Sequence, residues 1–224
     1  MMAILTGPLF GLSLMIFVIG MLARVILYVR GLSWRTDNVA YAAQFGQGMK
    51  GALSSIGQWL VPGATVGWRK QPFFTAGFFL FHVGAVLLPL FLVGHTVLLE
   101  NLTGISLPSL PMGLADVLTV LCIVGLGMLA LRRLIVPTAR VLTTKEDWVI
   151  LLISALPFVT GFMARMTTGD LWTALHLISG EVFLIVAPFT KLSHVVLFFM
   201  SRGQLGMDFA IKRGGAHRGA AFPW

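Results

Sequence analysis

Five stretches of this chain are long and apolar enough to cross the bilayer's hydrocarbon core, a distance of roughly 30 Å that takes about twenty helical residues. They run at about Pro8–Tyr28, Phe73–Leu99, Gly113–Leu131, Trp148–Met166 and Leu171–Met200. Backbone polar groups in hydrocarbon must be satisfied within the segment, so the expected fold is all-α, a polytopic membrane protein with five transmembrane helices. Composition agrees, with 57% of 224 residues hydrophobic and 11% charged, where soluble domains carry about a quarter charged residues. That deficit excludes a soluble globule, a disordered chain and a nucleic-acid binder, despite a net charge of +8. The single cysteine, Cys122, excludes an internal disulfide, a four-thiolate iron–sulfur site and a CxxCH haem attachment. Any redox centre has to be held by other residues.

The basic residues set an expected topology. Arg30, Arg35, Lys50, Arg69 and Lys70 follow the first span, Arg132, Arg133, Arg140 and Lys145 the third, and Arg202, Lys212, Arg213 and Arg218 the fifth. The other two connections hold Arg165 alone or no basic residue, with Glu100 and Asp170 beside them. The positive-inside rule then predicts the N-terminus outside and the C-terminus in the cytoplasm. With no basic stretch before it, the first span reads as a retained helix. The expected organisation is a five-helix domain over residues 1–200, with a cytoplasmic amphipathic loop at 31–71, and a basic, irregular tail at 201–224. Within the loop, Phe45, Met49, Ala52, Ile56 and Trp59 form one apolar stripe, bounded by Thr36-Asp37 and Pro62-Gly63. Such a helix either lies on the lipid surface or docks on a partner protein.

Four of the five histidines fall inside spans, His82 and His95 in the second and His176 and His194 in the fifth. Ionisable groups in a membrane are costly and usually functional. Spans two and five run in opposite directions, which puts His82 with His194 near the cytoplasmic side and His95 with His176 near the outer side. Two opposed imidazoles at each of two depths suit bis-histidine ligation of a planar iron porphyrin, whereas zinc wants three or four convergent ligands. On continuous helices, His176 and His194 lie 18 positions apart, about five turns, and share a face; His82 and His95, 13 apart, diverge by about 140° unless Pro89 bends the span. Gly84, Gly94 and Gly180 would let a macrocycle approach the backbone. Lys191 near the inner pair and Arg165 near the outer one are the expected propionate partners, although Lys191 also suits snorkelling. Glu181 is a buried acid that either passes protons or bonds to a neighbouring helix.

These residues resemble the cytochrome b (gamma) subunit of membrane-bound respiratory nitrate reductase and its relatives in heterodisulfide reductase and sulfate-reducer redox complexes. The likeness is carried by Ser33-Trp34-Arg35, Leu80-Phe81-His82-Val83-Gly84, Val93-Gly94-His95, Arg132-Arg133-Leu134 through Pro137, and Arg140 with Thr143-Thr144. It continues in Leu175-His176-Leu177 and in Pro188-Phe189-Thr190-Lys191-Leu192-Ser193-His194. The resemblance implies two b haems, His95 and His176 on the outer and His82 and His194 on the inner. It also implies quinone chemistry (menaquinone or ubiquinone) beside the outer haem, in the cell inner membrane. Expected partners are lipid, cytoplasmic iron–sulfur or catalytic subunits, and an outer-side cytochrome. The spacing within span two is longer than in the nitrate enzyme, and no lysine opens span three, which favours a sulfur- or heterodisulfide-type complex over nitrate reductase. The expected role is an electron-transfer subunit working in either direction between quinone and a cytoplasmic partner. A non-redox anchor or a transporter subunit are the rivals; a transporter would be expected to show inverted repeats, and the sequence has none.

Overall fold

The computed structural model describes residues 2–32 and 45–212. In chain order it holds α1 (Met2–Ile4), a wide turn at Leu5–Leu9 around Pro8, α2 (Phe10–Gly31), α3 (Phe45–Leu60), α4 (Val66–Lys70) and α5 (Pro72–Phe91). Then follow α6 (Val93–Thr103), α7 (Met112–Ile135), α8 (Pro137–Leu142), α9 (Lys145–Met166) and α10 (Asp170–Val186). Tight turns at Ala187–Phe189 and Lys191–Ser193 lead into α11 (His194–Lys212). Among the described residues there is no strand. Five helices are long and apolar enough to cross a membrane, at Met2–Gly31, Pro72–Phe91, Met112–Ile135, Lys145–Met166 and Asp170–Phe189.

Two of the five expected spans are not single helices. The second breaks at Leu92, whose extended backbone (φ −70°, ψ 134°) separates α5 from α6. Pro89 removes one amide donor just before the break, and the carbonyls there are nevertheless satisfied. Leu88 accepts from the Leu92 amide at 3.0 Å, Phe91 from the Leu110 amide at 2.7 Å, and Leu92 from the His95 and Thr96 amides at 2.9 Å each. The fifth span ends near Phe189, because Pro188 and the turns at 187–193 interrupt the helix, and His194 opens a new one. The helix arithmetic that aligned His176 with His194 and splayed His82 from His95 assumed unbroken helices, so neither angle applies.

The chain forms two compact units, one from the described parts of Met1–Val18 and Phe73–Lys191, the other from the described parts of Ile19–Pro72 and Leu192–Trp224. In the first, α5 and α7 approach closely through small residues. A Cβ on Gly84 would lie 2.6 Å from that of Cys122, one on Gly77 2.8 Å from that of Met128, and one on Gly125 2.5 Å from the Phe81 nitrogen. Gly84 therefore serves helix packing, not the approach of a macrocycle, and the buried Cys122 is its partner. α9 packs on both α7 and α10, and the Thr160 and Ser179 hydroxyls join α9 to α10 at 3.1 Å.

In the second unit α3 packs along α11 of this same chain through a face that buries Gly51, Ala52 and Ser55, while Met49 of the expected stripe is 40% exposed. The two helices meet where Gly51 faces the Gly206 carbonyl and Gly206 the Gly51 carbonyl, with Ser55 and Ala210 beside them. Arg202 donates to Ser55 Oγ at 3.3 and 3.2 Å and lies 4.8 Å from the Trp59 ring, which meets Trp68 edge-on. Tyr28 bonds Gln204. α3 ends before the Pro62-Gly63 turn, where Gly63 takes φ 77°, as the sequence predicts. The expected irregular tail is helical through Lys212; the Thr36-Asp37 cap and residues 213–224 lie outside the described residues.

Gly206→Val would force backbones apart where no flexible side chain can yield. We expect a loss of about 1–3 kcal/mol, read as a lower thermal midpoint by tryptophan fluorescence. Gly57→Ala, which meets nothing within 4 Å, should instead stabilise by about 0.5–1 kcal/mol.

Candidate functional site

His95 and His176 meet in the first unit, and the break in the second span brings them there. His95 sits in the first turn of α6, and its Nδ1 lies 3.0 Å from the Leu88 carbonyl oxygen at the end of α5. His176, on α10, has its Nδ1 2.9 Å from the Pro157 carbonyl oxygen on α9. A carbonyl only accepts, so each Nδ1 carries the hydrogen and each Nε2 presents a lone pair. The two Nε2 atoms face one another at 3.4 Å.

The ring planes are within 16° of parallel and the centroids are 5.7 Å apart. Imidazole ring atoms lie about 1.1 Å from the ring centre, given bonds of about 1.33 Å. Both Nε2 atoms therefore lie almost on the line between the centres, and the rings oppose one another end-on instead of stacking face to face. Two neutral imidazoles so arranged offer two acceptors and no donor. Only a proton or a metal between them completes the contact.

Two metal–nitrogen bonds of about 2.0 Å hold such nitrogens about 4 Å apart, so this pair fits after opening by about half an ångström. Fixing the tautomer by bonding the far nitrogen to a carbonyl is what ligating histidines do. Beside the pair, Cβ atoms built on Gly94 and Gly180 would meet nothing within 4 Å. Unlike Gly84, neither glycine sits in a close helix contact. Among the described residues no group of three or more His, Cys, Asp or Glu converges.

His82 is half-buried on α5 in the same unit. Its Nδ1 lies 2.7 Å from the Phe78 carbonyl oxygen, again leaving Nε2 as the acceptor, and its ring stacks on Phe78 at 3.9 Å between centroids. His194, in the second unit, is the exposed first residue of α11. Lys191 donates to Asp147 Oδ1 at 2.8 Å, and Arg165 pairs with Asp116 at 3.4 Å, so both expected propionate partners already hold carboxylates of this chain. Glu181 is buried, with Oε1 lacking a hydrogen-bond partner.

Sequence reasoning missed the groups that aim the pair. The Leu88 and Pro157 carbonyls have no residue-type signature. Gly161 had one, a glycine four residues after a proline in a span without histidine. A Cβ on Gly161 would lie 3.0 Å from both Cε1 and Nδ1 of His176, so only glycine lets α9 lie against that ring.

Fold and site together define a helical protein with five potential membrane crossings and a half-buried pair of opposed imidazoles. A curated protein of Nitratidesulfovibrio vulgaris, named simply "Protein", is 64% identical over 226 residues in an alignment covering all of both chains. The chain belongs to the same family as that protein. No family model and no solved structure matches it.

Gly161→Ala should push the His176 ring off its line with His95. The displacement is expected as a change in the His176 imidazole nitrogen chemical shifts relative to the unaltered chain, and unchanged shifts would refute the close contact with Gly161.

Proposed function

We propose that this chain is the membrane-embedded dihaem cytochrome b subunit of a respiratory complex of the sulfur or heterodisulfide type. It passes electrons between membrane quinone and a cytoplasmic iron–sulfur partner, with its N-terminus outside and C-terminus in the cytoplasm. The observation that carries this reading is the end-on opposition of His95 and His176, each with Nδ1 fixed by a backbone carbonyl. These two residues hold the outer haem, and His82 and His194 hold the inner one. Haem, when bound, supplies one-electron exchange within the bilayer, at a potential tuned by its ligands and their hydrogen bonds.

The residues' own tasks follow from their chemistry. Leu88 and Pro157 keep His95 and His176 in the Nδ1–H tautomer, which leaves Nε2 basic and aimed. Phe78 does the same for His82 through its carbonyl and covers one ring face. Gly94 and Gly180 keep side chains out of the space beside the outer pair. Lys191 and Arg165 bring cations to the two ends of the spans, where each is steadied by an aspartate. Quinone reacts near the outer pair, in either direction.

Colour tests the proposal. Chain purified from cells that supply haem should show reduced b-type bands after dithionite and about two haems per chain. His176→Ala and His95→Ala should each remove the same one haem, and the double variant no more than either. A colourless preparation that is folded by circular dichroism would leave the anchor or transporter reading in place.

A further inference from the structure

We propose that Glu181 is a proton-binding site in the middle of the membrane, a neutral carboxyl of α10 whose proton exchanges with water. It lies 11 positions after Asp170, the first residue of the potential crossing Asp170–Phe189. At about 1.5 Å per residue that is about 17 Å along the helix, close to half of roughly 30 Å of hydrocarbon. The side chain is enclosed by protein at that depth. Glu181 is 5% exposed, and its Oε1 is buried without a hydrogen-bond partner among the described residues.

An ionised carboxyl there would lose its water and receive neither a donor nor a cation in return, and a group so placed takes up a proton instead. The elements packed on α10 offer no counter-charge at this depth. Neither the turn at Leu5–Leu9 nor that at Ala187–Phe189 carries a titratable residue. α9 has its charges at its two ends, Lys145, Glu146 and Asp147 at one and Arg165 at the other. Of these, Asp147 pairs with Lys191 and Arg165 with Asp116. On α10 itself, Asp170 opens the helix, and His176 engages the Pro157 carbonyl through Nδ1 and faces His95 through Nε2. A proton needs a single carboxyl oxygen, whereas a hard metal cation such as calcium takes about six or more oxygens. Carboxyls inside membrane spans serve as stations of proton relays. Haem has no part in this site.

The test uses the full chain in phosphatidylcholine vesicles at about pH 7, treated with dicyclohexylcarbodiimide, an uncharged reagent that enters hydrocarbon. With a protonated carboxyl, the acid proton goes to one carbodiimide nitrogen and the carboxyl oxygen bonds the central carbon. The acyl group then shifts to nitrogen, and nothing is released. An exposed glutamate is protonated about one time in 500 at that pH. The adduct, mapped by mass spectrometry, should therefore fall on Glu181 at least about tenfold above the exposed Glu100 and Glu146. The infrared carbonyl band of a protonated carboxyl should be present, shift in D2O, survive Glu146→Gln and vanish in Glu181→Gln. Label shared evenly with the exposed acids would overturn the proposal. So would a band absent from the unaltered chain, fixed in D2O, or retained in Glu181→Gln. The adduct map is read on the unaltered chain, so it remains decisive even where Glu181→Gln fails to fold.

Discussion

Two lone pairs cannot be held 3.4 Å apart and pointed at one another without something positive to share. The site's architecture follows from that constraint. Each imidazole is committed by a carbonyl on a neighbouring helix, so neither can turn its N–H toward the other without giving up a bond that hydrocarbon would not replace. The frustration is local, and a bound cation or proton relieves it. Everything near the pair serves to maintain this opposition. The break at Leu92 frees His95 to swing back onto α5, Pro157 and Gly161 bring α9 against His176, and Thr160 with Ser179 ties α9 to α10.

The crossings themselves were legible from hydropathy, because a twenty-residue run without charge has few alternatives. Each of the five overlaps a helix long and apolar enough to cross a membrane, but the second and fifth end well before the expected Leu99 and Met200, at Phe91 and Phe189. The breaks were not found, and the reason is physical. Pro89 and Pro188 were visible, but whether a proline kinks a membrane helix or ends it depends on which groups take up the freed carbonyls. At the break after Pro89, the Leu110 amide on the Phe91 carbonyl and the His95 ring on the Leu88 carbonyl are contacts that the span's own sequence does not display. The histidines were legible as a set because four ionisable rings in apolar runs are conspicuous. The meeting of His95 with His176 follows from antiparallel spans, while the angles calculated along unbroken helices described a geometry that does not exist.

Other features were read correctly in kind and wrongly in context. The apolar stripe of α3 is real, but its glycines pointed away from a helix only while their neighbours were unknown. Gly51 weakens an isolated helix and strengthens a packed one, since it admits the backbone of α11. The cations at Lys191 and Arg165 were recognised without the aspartates that hold them. Asp147 in particular caps α9, accepts from Lys191 and receives Arg133 at its carbonyl, three contacts that no periodicity reveals.

The contact between Gly51 and Gly206 has a consequence for how the second unit can vary. Helices joined through larger side chains can slide a turn and repack, whereas a notch cut by two absent side chains fits at one position only. A slip of one turn would set Gly51 against Arg202 or Ala210 and drive a side chain into a carbonyl. The register of α3 on α11 is thus keyed like a lock, and the outward face of α3 keeps a fixed pattern of groups whatever sequence drift occurs around it.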